Sequence, residues 1–365
     1  MRRKKKTKAI TEPRNNLSKN RPAKKILTVV AVFIIIGLLA GSYGLYKTIL
    51  TPNVNLSFEQ EEYLYIPTGA DYEQVIRILN EKKLIKNSAT FEFLASGMNY
   101  KKHIHPGRYE IKANMSNKDL IMMLRSGRQK PVKLVLRNHR TLKELTGIVS
   151  EKLEADSTEL MELLSDSSYL QTFGLRKDEA LCLFIPDTYE FYWNTSAKKF
   201  LRKVTTAYKK YWNDKRIRRA ESLGLTVASA TILASIVEKE TSKNDEKSRI
   251  SGVYLNRLKK EMKLEADPTL VYASGDFGAR RILAWHRNYE SPYNTYKYKG
   301  LPPGPICMPS KTTLDKVLDT ETHNYMYFCA RADFSGYHSF ATNYSQHLEN
   351  ARKFHKELDK RNITR

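Results

Sequence analysis

From Ile26 to Tyr46 the chain runs 21 residues without a charge, and Val, Ile, Leu and Phe dominate the run. As a helix rising about 1.5 Å per residue it is roughly 31 Å long, the thickness of a bilayer's hydrocarbon core. Residues 1–25 hold eleven basic side chains and one acid, Glu12, so this tail carries ten of the formal +24. A basic cluster next to an apolar span stays on the cytoplasmic side. The expected topology is a basic cytoplasmic tail (1–25), one transmembrane helix (26–46) in the inner (plasma) membrane, and everything after Lys47 on the far, extracytoplasmic side. A cleaved secretory signal is the competing reading. It wants a shorter apolar core of about 7–15 residues and a small-residue cleavage site. This run is longer, although Ala40-Gly41-Ser42 lies where such a site would fall. A basic tail also fits nucleic-acid binding, but topology accounts for it and no nucleic-acid motif follows.

The rest of the chain reads as an α+β protein. Hydrophobic residues make up 41% of the sequence, enough for packed cores, and the length fits two or three domains. Residues 47–58 read as a polar linker. Between 59 and 136, Tyr63–Ile66 reads as a strand and Tyr72–Leu84 as a helix with Val75, Ile76, Ile78 and Leu79 on its apolar side. Phe91–Met98 gives a second short helix and Pro106–Ile111 a turn into a strand. Ser116 starts a helix that stops near Gly127, and Val132, Leu134 and Leu136 alternate as a strand. This pattern is similar to a LysM-like module, a class associated with sugar polymers. Residues 137–225 read as a mainly helical connecting region, broken at Leu183–Phe191. Residues 226–365 hold the features with chemical character.

Cys182, Cys307 and Cys329 are too few and too scattered for a disulfide framework, and the expectation is buried, small apolar residues. One disulfide stays open. His103 and His105 flank Ile104 with no further ligand spaced to complete a site, so they read as exposed strand residues and no metal is expected.

Thr226–Thr241 (TVASATILASIVEKET) has a strong helical pattern. Glu240 lies seven, four and three residues after Leu233, Ile236 and Val237 and so shares their apolar face. Glu238 follows Thr231, Ala234 and Ser235 on a smaller, more polar face. Residues two apart on a helix point about 200° apart, so the two glutamates are not an acid/base couple. A carboxyl at the end of an apolar face is partly desolvated, which raises its pKa and keeps it protonated near neutral pH. That is what a general acid needs. Glu240 is therefore the first candidate for the catalytic residue and Glu238 the secondary one, with plain surface charges at a helix end as the alternative reading of both.

Ala234–Thr241 (ASIVEKET) resembles the signature of the endolytic murein transglycosylase (YceG-like) family. Further matching motifs follow in order: Gly252–Leu258, Leu264–Thr269, Tyr293–Tyr296, Gly300–Ile306 and, later, Gly336–Phe340. Glu265 stands where the family often has Gln, and the role of that position is left open. The resemblance implies a lysozyme-like, YceG-type catalytic domain that cuts the β-1,4 bond between N-acetylmuramic acid and N-acetylglucosamine in peptidoglycan. A single acid serves, because the muramic C6 hydroxyl closes a 1,6-anhydro ring in place of water, and no cofactor is called for. It also implies peptidoglycan synthases as partners. Two other readings stand beside it: a membrane-anchored peptidoglycan-binding scaffold without activity, and a water-using muramidase with Asp267 as a second carboxylate.

The expected substrate-contacting residues are Asn256, Arg257, Asp267, Tyr272, Tyr293, Asn294, Thr295, Tyr296 and His338. Asp267-Pro268 has the form of an N-cap followed by proline at the first helical position, either a plain helix start or part of the cleft wall. Tyrosine faces and amide or hydroxyl groups in the loop 293–305 suit sugar binding. Arg257 is expected to pair either with a carboxylate on the peptide stem or with Glu238.

Overall fold

The computed structural model describes residues 21–57, 61–279 and 281–361; most of the basic tail, residues 1–20, lies outside the described residues. Two compact units emerge. One comprises residues 1–64, 69–105 and 109–128, the other 65–68, 106–108 and 129–365.

The first unit opens with helix α1 (Arg21–Leu50). Its apolar window, Lys25–Leu50, is long enough to cross a membrane, and none of that window is buried against protein. One N-terminal apolar helix of this kind fits single-pass anchoring. Strand β1 (Glu62–Ile66), helices α2 (Tyr72–Glu81) and α3 (Ser88–Gly97), a 3₁₀ turn (Tyr100–Lys102), strand β2 (Gly107–Ile111) and helix α4 (Asn117–Ser126) follow, and β1 pairs with β2. The caps explain the boundaries. Asp71 accepts from the Gln74 N–H at 2.8 Å to start α2. Ser116 and Asp119 form a reciprocal capping box on α4, and Gly127 ends it in the left-handed region at φ 66°. Val75, Ile76 and Leu79 are buried as the helical period predicts, around Tyr100, which meets Tyr72 and Phe91 edge-on.

Two readings are corrected here. The segment read as a polar linker is tied into this unit from Thr51 onward. Asn53 donates to Asn117 Oδ1 at 2.7 Å and to the Asn87 carbonyl at 2.9 Å, and Val54 is buried. Short polar residues looked like solvent-exposed chain, but their amides satisfy buried backbone groups. His103 and His105 are exposed, but they lie in the connection between the 3₁₀ turn and β2 rather than on a strand, because the Tyr100 ring anchors the turn in the core.

In the second unit, β3 (Val132–Leu136) pairs antiparallel with β4 (Asp187–Phe191), Leu134 opposite Tyr189. Between them lie α5 (Leu142–Lys152), α6 (Ser157–Ser165), α7 (Ser167–Gln171) and a 3₁₀ segment (Lys177–Leu183). Then come α8 (Ala197–Tyr211), α9 (Asp214–Ser222), α10 (Val227–Glu240), α11 (Lys247–Lys259), α12 (Asp267–Ser274), α13 (Ala284–Asn288) and α14 (Lys311–Leu318). A hairpin of β5 (Tyr327–Ala330) and β6 (His338–Ala341) and the final helix α15 (Tyr344–Lys360) complete the unit.

Helix α10 is the axis of this unit. Ala228 and every residue from Ala230 to Val237 are buried, so its apolar composition, unlike that of α1, is explained by a protein core. It touches α9, α11, α12, α14 and the 3₁₀ segment. Small residues along it admit close neighbours. Ser235, fully buried, accepts from the Ile306 N–H at 3.0 Å and so pins the Gly/Pro-rich loop 300–306 to the helix. In that loop a Cβ on Gly304 would stand 2.0 Å from the Asp178 carbonyl oxygen. Only glycine fits such an approach to rigid backbone. Gly304→Ala is expected to cost about 1–3 kcal/mol, read as a lower urea midpoint; an unchanged midpoint would mean the loop simply moves aside.

The cysteines carry no disulfide: all three are free, Cys182 and Cys307 buried and Cys329 partly so. Burial raises the thiol of Cys307 to about 12 and that of Cys182 further, which keeps both protonated and unreactive.

Candidate active site

Thr226 and Ser229 cap the start of α10 reciprocally, and Glu240 is its last residue before Thr241 turns extended. The helix therefore carries a carboxylate from the core to the point where a cleft of about 770 Å³ opens. Glu240, Lys239, Arg140, Asp267, Tyr272 and Phe277 are among the residues that line it.

Glu240 is half-buried by area, open toward the cleft and packed elsewhere. Its pKa is pushed up to about 7. Burial is the largest cause; the hydroxyl of Tyr254, which donates to Glu240 Oε1, pulls the other way, and the charge of Asp267 pushes up again. The negative end of the α10 dipole acts in the same direction as burial. Tyr254, on α11, is itself 1% exposed, and burial followed by the Glu240 charge drives its own pKa far up, so it stays a donor.

Glu238 points the other way, as helical spacing requires. Lys247 approaches it at 3.3 Å, Ser310 donates to it at 2.9 Å, and the Thr313 hydroxyl donates as well. That carboxylate binds α10 to the start of α14 and does not line the cleft.

The remaining expected residues divide into wall and scaffold. Asp267 lines the cleft and accepts a 2.5 Å hydrogen bond from the Tyr296 hydroxyl. It is not the N-cap expected from Asp-Pro: Ala266 occupies that position, and Asp267 is already helical. The reason lies far along the chain. Thr295 meets the Ala266 N–H at 3.0 Å and the Thr269 hydroxyl at 2.8 Å, so this helix start is held from outside. Tyr272 lines the cleft, its ring 4.7 Å from that of Tyr293. Asn294 is fully buried; it donates to the carbonyls of Arg287 and Tyr289 and accepts from the Tyr296 N–H at 3.0 Å. In the Tyr-Asn-Thr-Tyr run the middle pair thus folds the loop, while both tyrosines are partly exposed.

Asn256 donates to the carbonyls of His323 at 2.7 Å and Tyr325 at 3.1 Å, closing α11 against the segment before β5. Arg257 pairs with Glu265 and with the Lys263 carbonyl, not with Glu238. That gives Glu265 a place: it is the counter-ion of a buried arginine. His338 is held at 2.8 Å by Glu246 through both its ring Nδ1 and its backbone N–H. None of these three is among the residues that line the cleft.

Sequence reasoning missed Tyr254, although it sits inside the Gly252–Leu258 motif. The clue was the short connection between α10 and α11, which makes the two helices neighbours. Arg140 had no such clue, since it reaches the cleft from a hundred residues upstream.

Contacts link the motifs in series: Tyr254 to Glu240, Thr269 to Thr295, Tyr296 to Asp267, and Ile306 to Ser235. A family model described as the YceG-like family matches residues 64–353. A Streptococcus pneumoniae protein (serotype 2, strain D39) named endolytic murein transglycosylase is 28% identical over 356 residues, covering 88% of this chain and 64% of that protein. The chain thus spans somewhat less than two thirds of that relative's length. A Bacillus subtilis (strain 168) protein of the same name is 24% identical over 320 residues, covering 81% of this chain and 86% of that one. The crystal structure of a yceG-like protein from Listeria monocytogenes matches with a TM-score of 0.54 and 26% identity, over 80% of this chain and 99% of that one. With the family model matched across most of its length, this chain belongs to the YceG-like family.

Proposed function

We propose that the chain is an endolytic lytic transglycosylase of peptidoglycan. It cleaves the β-1,4 bond between N-acetylmuramic acid and N-acetylglucosamine in nascent strands, leaves 1,6-anhydro-muramic ends, and so limits strand length. One observation carries the reading: Glu240 stands in a substrate-sized cleft with its pKa pushed up to about 7. A neutral carboxylic acid at that position has a proton to give at physiological pH. The names of the streptococcal and bacillar relatives support the same chemistry.

Glu240 gives its proton to the glycosidic oxygen as the bond from C1 breaks, and the N-acetylglucosamine end leaves as an alcohol. The resulting carboxylate, steadied by the Tyr254 hydroxyl, takes the proton of the muramic C6 hydroxyl. That oxygen closes on C1, and Glu240 is again protonated. Burial, with a smaller push from the charge of Asp267, keeps Glu240 protonated in the resting state, and the Asp267 carboxylate lies in the cleft where cationic character develops at C1. Tyr272 offers a ring face for a sugar.

The presence of Asp267 in the same cleft also favours a water-using muramidase as a second reading. Digestion of purified peptidoglycan by the full-length protein in detergent separates the two by mass spectrometry. Anhydro ends support the transglycosylase and reducing ends the muramidase; binding without either product leaves a scaffold. Tyr254→Phe tests the proton-handling role. Loss of the hydrogen bond that lowers the Glu240 pKa is expected to slow the reaction about tenfold and to move the alkaline limb of kcat/KM to higher pH. A limb that stays in place would remove Tyr254 from the proton chemistry.

Around this centre the proposed layout is a cytoplasmic tail, α1 across the inner membrane, and an extracytoplasmic body. In that body a LysM-like unit, ending near residue 128, precedes the unit in which the region 137–225 shares a core with the catalytic segment 226–365. The strand–helix–helix–strand order from β1 to β2 supports the LysM-like reading. Peptidoglycan synthases as partners follow from the family resemblance.

A further inference from the structure

A smaller pocket adjoins the cleft, with residues common to both walls. This second pocket of about 230 Å³ shares Arg140 and Tyr272 with the main cleft and continues past Tyr293 to Lys177, Asp178 and Leu181. A linear polysaccharide needs one groove; a fork suits a ligand that branches. Charge points the same way. The main cleft is lined by Arg140, Lys239, Arg281 and Arg287 against two carboxylates, Glu240 and Asp267. The side pocket adds Lys177 against Asp178. Among the described residues none of those four cleft cations is paired with a carboxylate, whereas Arg216, Arg249 and Arg257 on the same unit are. Arg140 stands at the fork, its guanidinium 4.6 Å above the ring of Phe277. That stacking holds the planar fork in place while leaving its N–H donors for an anion, and arginine binds carboxylates two-pronged.

We infer that the side pocket is the subsite for the acidic peptide branch of the glycan strand, with Arg140 binding a carboxylate of that branch. This rests on the peptidoglycan reading above and deepens it: the preferred substrate is a strand whose lactyl groups still bear peptides with free carboxylates. A branch is favoured over a separate anionic polymer because the cations and Glu240 line one cleft, so the anion they meet is attached to the strand being cut.

The test uses full-length protein in detergent and two substrates, uncrosslinked glycan strands bearing peptides and the same strands stripped by an amidase. Wild type, Arg140→Gln and Arg140→Lys are compared for release of anhydro ends, and each is compared again in a Glu240→Gln background for equilibrium binding. Arg140→Gln is expected to lose about tenfold or more on peptide-bearing strands beyond whatever it loses on stripped ones, with Arg140→Lys between it and wild type. Equal losses on both substrates, or none, overturn the inference, as does a loss confined to a polyol-phosphate polymer used as competitor. If no protein releases anhydro ends from either substrate, the transglycosylase reading fails, and the binding ratio still decides whether Arg140 reads the branch.

Discussion

Glu240→Gln is expected to lower production of anhydro ends by about a hundred- to ten-thousandfold, the contribution of a positioned general acid. Glutamine keeps the shape and accepts from Tyr254 but has no proton to give. The same substitution carries a stability signature of definite sign. With the folded pKa raised from 4.5 to about 7, the native state binds more protons than the unfolded chain across that interval. Wild type therefore loses stability as pH rises from about 4.5 to 7, and the loss is constant above that. Its full size is at most about 3 kcal/mol, since Glu240 is open to the cleft on one side. The glutamine variant escapes this term, so its advantage over wild type should grow through the same window and then level off. An inactive variant with no such pH-dependent gain would show that Glu240 is not the desolvated acid described here. Retained activity would remove it from the mechanism.

Glu238→Ala should do the opposite, damaging the fold first. It removes what is, among the described residues, the only carboxylate beside the ammonium of Lys247, which is 4% exposed and keeps just the Thr313 hydroxyl, and it takes the charged acceptor from Ser310 and Thr313. Removing one partner of a buried ion pair costs about 3–5 kcal/mol. For a unit of this size that is on the order of 10 °C in melting temperature. The double variant Glu238→Ala/Lys247→Met should recover most of the loss, because the uncompensated charge is gone. A single variant that melts with wild type, or a double variant as weak as the single, would mean the pair is only a surface contact. Two glutamates two residues apart on one helix thus separate experimentally: one is defined by product chemistry with a stability gain, the other by a stability loss that its partner's removal repairs.

Local pattern carried much of the fold. Helix α4 was legible from Ser116, Asp119 and Gly127, whose capping roles depend only on neighbours within a few residues. The burial of Val75, Ile76 and Leu79 followed from period alone. Asp267 failed as a cap for the complementary reason: the groups that hold this helix start belong to Thr295, which is adjacent only after folding. The expected sugar-contacting residues divided in the same way. Tyr272 reached the cleft, while Asn294 and Thr295 are buried, since an amide or hydroxyl is equally suited to a ligand and to closing a turn.

Three things were legible from the residues alone: the apolar helix near the N-terminus, the family, and the opposite faces that Glu240 and Glu238 take on α10. Charge runs, ordered motifs and helical phase are all properties of residues close together in the chain. What surrounds the Glu240 carboxylate was not legible there, because it is assembled by folding. Tyr254 as its donor, Asp267 as its charged neighbour and Arg140 at the fork of the cleft come from separate segments. A pKa or a binding fork is set by what converges in space, and that convergence is made by packing α10 through the middle of a core assembled from both ends of the unit.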